Sequence, residues 1–269
     1  MKKTAVIFTI LICFALLFTG CGGKKVENLQ ITIPLASGER SGTYTGEVKN
    51  DKPDGNGKFE SKNTQGAVWT YEGGFKDGTF DGQGKMVFPN QSYEGTFEKG
   101  NFVQGSFIYE DTLIYEGGFT PNTNPFLYSG KGKLYTTKGT LLYEGNFEDG
   151  HPQDKQAVLS KCEEVSYESL VQNSDAYLEQ FISVKGTVKV MMNHGIKNGE
   201  YSLIGYVIAL DNSLNKIIFI DKYQKSGEPN LNFDDKIVVY GQYTDFVTYT
   251  SVEDKEITLP SIRVFFIDK

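Results

Sequence analysis

Histidine is nearly absent from the chain: His151 and His194 are the only two. Two imidazoles cannot build a metal centre by themselves, and neither sits in a recognisable nucleophile motif. Cysteine is almost as scarce. Of the 3 present, Cys13 falls in the leading apolar run, Cys21 closes it and Cys162 stands alone in the rest, which excludes an intramolecular disulfide in the body of the protein. Basic residues are in deficit, 27 Lys and Arg against 34 Asp and Glu. Loss of a leader carrying Lys2 and Lys3 leaves 25 against 34. Such a surface argues against nucleic acid, whose phosphates need clustered Lys or Arg. A phosphate loop, a nucleophile elbow and a positioned carboxylate couple are missing too. The chain is therefore expected not to be an enzyme, with no catalytic, cofactor-binding or metal-binding residues; a hydrolase returns only if a carboxylate pair lines a cleft.

The apolar run from Ala5 to Phe18 is shorter than the roughly 18 to 20 residues a spanning helix needs. With Lys2 and Lys3 before it and Thr19-Gly20-Cys21 after it, it reads as a signal peptide over residues 1–20. Phe18-Thr19-Gly20-Cys21 resembles a bacterial lipobox. That resemblance implies a diacylated Cys21 as the new N-terminus and a mature protein held on the extracytoplasmic face of the cell membrane. A plain secretory peptide with an incidental Cys is the alternative. Residues 21–42 then form a tether: Gly22-Gly23 is flexible, Lys24 and Lys25 sit beside headgroups, and Ile31 to Leu35 supply an opening strand that covers a sheet edge.

What the chain has in quantity is glycine, 30 residues, and it recurs in phrase. Tyr71 opens YEGGFKDGTFDGQGKMVF, and related phrases open at Tyr44, Tyr93, Tyr115 and Tyr143. The tyrosines step by 27, 22, 22 and 28 residues, a period typical of stacked supersecondary units. Asp77-Gly78, Lys99-Gly100 and Asp149-Gly150 supply the positive φ of tight hairpin turns. In Tyr-x-Gly-x-Phe the first, third and fifth side chains share a face, so an aromatic and an apolar residue flank an empty position. A neighbouring unit's ring is expected over that glycine. The units resemble the MORN family (membrane occupation and recognition nexus), best at Tyr44, Tyr71 and Tyr115. The third unit departs from the pattern by keeping only Gly105 of its Gly-x-Gly step, and the fifth breaks off at Pro152.

After Pro152 the texture changes. Residues 43–154 are expected as a MORN-repeat array and 155–269 as a second domain. A helical lead-in over Val165 to Phe181, re-capped near Ser174-Asp175, precedes strand-like runs at Ile182–Met192, Tyr201–Leu210, Lys216–Ile220, Lys236–Tyr243 and Ile262–Ile267, with Asn193–Glu200 and Asp211–Asn215 as connections. Gly186 and Gly241 inside strands fit the tight curvature of a small closed barrel. The stretches 166–188, 233–246 and 259–268 resemble OB-fold domains of lipoproteins and secreted proteins; another small barrel or a sandwich is the alternative. The fold class is mainly β: an elongated antiparallel sheet of hairpin repeats, then a small OB-like barrel.

The function expected is that of a lipid-anchored cell-surface binding or scaffold protein. The membrane is a partner through Cys21, and a protein partner or second copy docks on the array. A single-layer sheet covers only one face by ring-over-glycine packing, so part of the Phe and Tyr content should stay near solvent and mark that interface. The alternative is a cell-envelope saccharide or small-ligand sensor acting through the barrel, where Tyr240, Tyr243, Phe246 and Tyr249 either stack on ligand or pack as core. Cys162, near the junction, reads as a buried small apolar residue.

Overall fold

A computed structural model of the chain describes residues 24–35, 38–123, 126–198, 201–211, 214–250 and 255–269. The expected signal peptide and Cys21 lie outside these residues. The first half is an eleven-stranded antiparallel meander: β1 (Lys24–Ile33), β2 (Arg40–Lys49), β3 (Lys52–Lys62), β4 (Val68–Lys76), β5 (Thr79–Val87), β6 (Gln91–Glu98), β7 (Asn101–Tyr109), β8 (Thr112–Thr120), β9 (Leu127–Tyr135), β10 (Leu141–Glu148) and β11 (His151–Pro152). Most of the expected tether is thus sheet. Lys24 to Ile33 pairs along β2, because Val26, Ile31 and Ile33 find apolar partners in the array core.

Cross-strand register aligns the repeats into straight rows. Tyr44, Phe59, Tyr71, Met86, Tyr93, Phe107, Tyr115, Leu134 and Tyr143 face one another in sequence across β2 to β10. Two residues along, Gly46, Gly57, Gly73, Gly84, Gly95, Gly105, Gly117, Gly132 and Gly145 form an unbroken glycine row. Because strand side chains alternate, both rows share the core face. A Cβ added to Gly84 would strike the Tyr71 ring, and one on Gly132 would strike Tyr115. The covering ring therefore belongs to the same hairpin, not to the neighbouring unit as the sequence suggested. The phenol hydroxyl fixes the arrangement by donating to the carbonyl three residues on: Tyr44 to Glu47 at 2.6 Å, Tyr71 to Gly74 at 2.9 Å, Tyr115 to Gly118 at 3.1 Å and Tyr143 to Asn146 at 3.3 Å.

The hairpin tips explain why the core closes. Asp77 and Gly78 both take positive φ, 51° and 91°, as a type I′ turn requires. The Gly78 amide then donates to Pro53 O of the preceding unit at 2.9 Å, as Gly100 does to Phe80 and Gly150 to Tyr128, both at 2.8 Å. Each tip is pinned on the unit before it. This draws Phe75, Phe97, Phe119 and Phe147 between the tyrosines, opposite Phe80, Phe102, Tyr128 and Pro152. The expected exposed aromatics are accordingly absent: among the described residues of the array, the exposed large apolar side chains are Leu29, Val68, Val87 and Leu141. The third unit's departure also has a cause. Units two and four insert a positive-φ bulge glycine, Gly82 and Gly130, in the return strand. Unit three is one residue shorter there, and Phe97↔Phe102 pairs with a smaller bulge.

The second half contains α1 (Lys155–Leu159), β12 (Glu163–Glu164), α2 (Tyr167–Gln172), α3 (Ser174–Tyr177), β13 (Phe181–Asn198), β14 (Tyr201–Ala209), β15 (Ile217–Lys225), β16 (Lys236–Thr250) and β17 (Glu256–Asp268). Asp154 caps α1 by accepting from Ala157 N at 3.0 Å, and Ser166 caps α2 by accepting from Ser169 N at 3.1 Å. The strands close as β13–β14–β15–β17–β16 and back to β13, with β15–β17 the parallel pair of that ring. A Cβ on Gly241 would strike Arg263 O, so the bend of β16 at its bulge needs glycine there. The polar stretch expected as a connection at Asn193–Glu200 extends β13 instead, which pairs as far as Asn198↔Tyr201.

The two halves meet in a packed seam. Val158 and Phe181 are buried in the same cluster as the array aromatics, with Cys162, Phe265 and Phe266 packed against it. The Glu179 carboxylate accepts from Thr137 N at 2.7 Å, and the Lys161 ammonium donates to Leu142 O of β10. The last repeat is thereby covered.

Candidate binding surface

The row between the aromatics and the glycines points to the opposite face. Across β2 to β10 it reads Thr45, Lys58, Glu72, Lys85, Glu94, Ser106, Glu116, Lys133 and Glu144. From Lys58 onward charge alternates in sign except at Ser106, which stands between Glu94 and Glu116. Two rungs are closed ion pairs, Lys85–Glu94 and Lys133–Glu116, each 3.1 Å. The hydrogen bond to Glu116, helped by the charges of Glu116 and Glu144, holds the Lys133 ammonium above its ordinary pKa.

Over β7 to β10 this face is hollowed into an open trough of about 640 Å³. Its floor is the bare backbone of Gly105, Gly117, Gly132 and Gly145, whose missing side chains would point into the core. Its walls are Gln104, Ser106, Glu116, Lys131, Lys133, Glu144 and Asn146. Opposite charges, amides and a hydroxyl on a flat, register-locked floor suit a polar, extended surface of a partner. The ladder was readable as the charged residue that follows four of the five repeat tyrosines, Glu72, Glu94, Glu116 and Glu144. Read one unit at a time, these look like isolated solvated charges; only the register joins them.

The residues singled out in the second half separate. Tyr243 is fully buried and its hydroxyl has no hydrogen-bond partner among the described residues; burial, then Asp245 and Asp175, pushes its phenol up to about 12. Tyr249 packs in a satellite cluster around Val207, Phe219 and Leu259. Tyr240 is partly exposed and Phe246 exposed. A more open ring that the sequence did not flag is Phe233, 71% exposed, with the Lys189 ammonium 5.3 Å from its centroid. Burial pushes the Cys162 thiol up to about 11. His151 lies in the seam, its Nδ1 3.0 Å from Asp149 O and its ring 6.0 Å from Tyr223 and 6.3 Å from Phe265. Burial is the main force lowering its pKa.

The MORN repeat family model matches residues 44–64 and 71–92, the first two hairpins of the array. No curated protein matches the chain. MORN repeats are in general modules for protein or membrane interaction.

Proposed function

We propose that the chain is a lipid-anchored binding or scaffold protein of the extracytoplasmic face of a bacterial membrane, attached through acylated Cys21. In this reading the array is a protein-interaction platform, the barrel is a second interaction module and neither half is catalytic. The observation that carries it is the charge ladder. An array that spends its aromatics on its own core still presents, strand after strand, a rigid polar face in fixed register, and that face opens into the trough over β7 to β10. Rows of opposite charge favour register and partner choice over raw affinity. The test is capture from detergent-solubilised membranes by the intact protein beside a Lys131→Glu/Lys133→Glu variant. Recovery of one partner by the first and its loss from the second supports the platform; equal capture by both removes the trough from the interface.

A second reading, a saccharide or small-ligand sensor, draws on Phe233. The five-stranded ring with its helical lead-in supports an OB-like barrel, a fold whose members bind oligonucleotides or oligosaccharides. With 11 basic against 16 acidic residues over 161–269, a saccharide suits it better than an oligonucleotide. A glycan array probed with the intact protein and with Phe233→Ala decides: binding lost in the variant favours this reading.

A further inference from the structure

Strand β1 opens at Lys24, three residues after Cys21. Three residues reach roughly 10 Å even when fully extended. An acyl group on Cys21 therefore holds the first residue of β1 within that distance of the lipid headgroups, whatever path the intervening residues take.

What lies beside Lys24 is then decided by register. Lys24 pairs with Val48, so Lys49 and the β2–β3 turn are next to it, and Lys52 faces Lys49 across that turn. The Lys52 stem runs along the following tip, 3.8 Å from where a Cβ on Gly78 would stand, and that tip carries Lys76. Lys24, Lys49, Lys52 and Lys76 are all exposed, and none of their ammonium groups makes a hydrogen bond or ion pair among the described residues. Asp51, Asp54 and Asp77 share these tips, so the lysines alone hold a membrane weakly. The anchor supplies the missing factor, a high local concentration of headgroups. The far end differs: the tip of the fifth unit has Glu148 and Asp149 and no lysine, and the barrel beyond it is acidic. Ten strand spacings of about 4.8 Å put β11 some 48 Å from β1.

We infer that the array stands on its β1 end and leans towards its hairpin tips, which brings the tip lysines of the first two units to lipid phosphates and holds the barrel away from the bilayer at the other end. This rests on Cys21 being the anchor. The ladder and its trough then face sideways, open to partners at the membrane surface, and the repeat number sets the barrel's height.

The test bypasses cellular acylation, so that its failure is distinct from failure of the anchor itself, which Cys21→Ala and cell fractionation report. The mature chain from Cys21, carrying Cys162→Ala, is coupled through its one remaining thiol to a maleimide lipid in supported bilayers. Neutron reflectometry then gives the height of the protein layer. With phosphatidylglycerol present, protein density is expected to extend beyond about 50 Å. The layer should thin in pure phosphatidylcholine and in a Lys49→Glu/Lys52→Glu/Lys76→Glu variant. A layer about half that height on the anionic bilayer, or equal heights in all three cases, overturns the proposal.

Discussion

Tyr71 and Phe80 stack ring on ring, centroids 3.8 Å apart and planes 18° from parallel, and Tyr115 and Tyr128 repeat the contact two units on at 3.8 Å and 8°. In each pair the tyrosine comes from the outgoing strand of a hairpin and its partner from the returning strand, just before the bulge. The pair, the glycine under the ring and the phenol hydrogen bond form one device that is reused along the array.

Gly84→Ala tests the device at its tightest point. The new methyl has nowhere to go but into the Tyr71 ring, and overpacking of this kind costs about 1–3 kcal/mol. Urea unfolding should show the loss. A Gly84→Ala protein as stable as the parent would mean that the Tyr71 ring can move aside.

Tyr71→Phe removes the donor to Gly74 O and should cost about 0.5–1.5 kcal/mol. Tyr93 stacks on Phe107 at 4.9 Å and makes no such bond among the described residues, so Tyr93→Phe should be nearly neutral by the same measurement.

The buried phenols predict alkaline lability. Burial pushes Tyr44 and Tyr128 up to about 12 from an ordinary value near 10, and a folded-state pKa raised above the unfolded one gives stability that is complete below pH 10 and lost as pH rises towards 12. Phenolate absorbance should therefore appear together with loss of sheet signal. Phenolate formation in an intact sheet would contradict the burial of these rings.

At the seam the sign is opposite. His151 is held neutral, its pKa lowered by burial first and by the charges of Arg263 and Lys222, against the Asp149 carbonyl and carboxylate. The unfolded chain takes up the proton more readily, so this contribution is full above the ordinary value of 6.5 and fades as pH falls below it. The melting temperature should fall between pH 7 and pH 5, and His151→Gln should flatten that slope. An unchanged slope would place the pH response elsewhere.

A chain starting at Ser160 keeps the closed ring of β13 to β17 but strips the array from Phe181, Phe265 and Phe266. It should unfold cooperatively, at a lower temperature than the intact protein, and bind an apolar dye. Loss of the cooperative transition would mean that the seam is part of the barrel's core.

The hairpins were legible because their causes are local: Asp77-Gly78 has to turn, alternation sorts Tyr71 and Gly73 to one face, and glycine spacing recurs as the hairpin does. The barrel strands were legible as apolar runs, though Asn193 to Asn198 was not, because pairing with β14 carries polar residues into a strand that periodicity alone would end. Other features depend on register, which no single unit contains. Whether the ring over Gly84 came from its own hairpin or the next, whether Phe97 and Phe119 reached solvent, and whether Glu72, Lys85 and Glu94 were scattered charges or rungs of one ladder were decided only when the tips docked on Pro53, Phe80 and Tyr128. Short-range sterics wrote the hairpins into the sequence; backbone hydrogen bonds between units, made by carbonyls that every residue carries and amides that all but proline carry, decided how they stack.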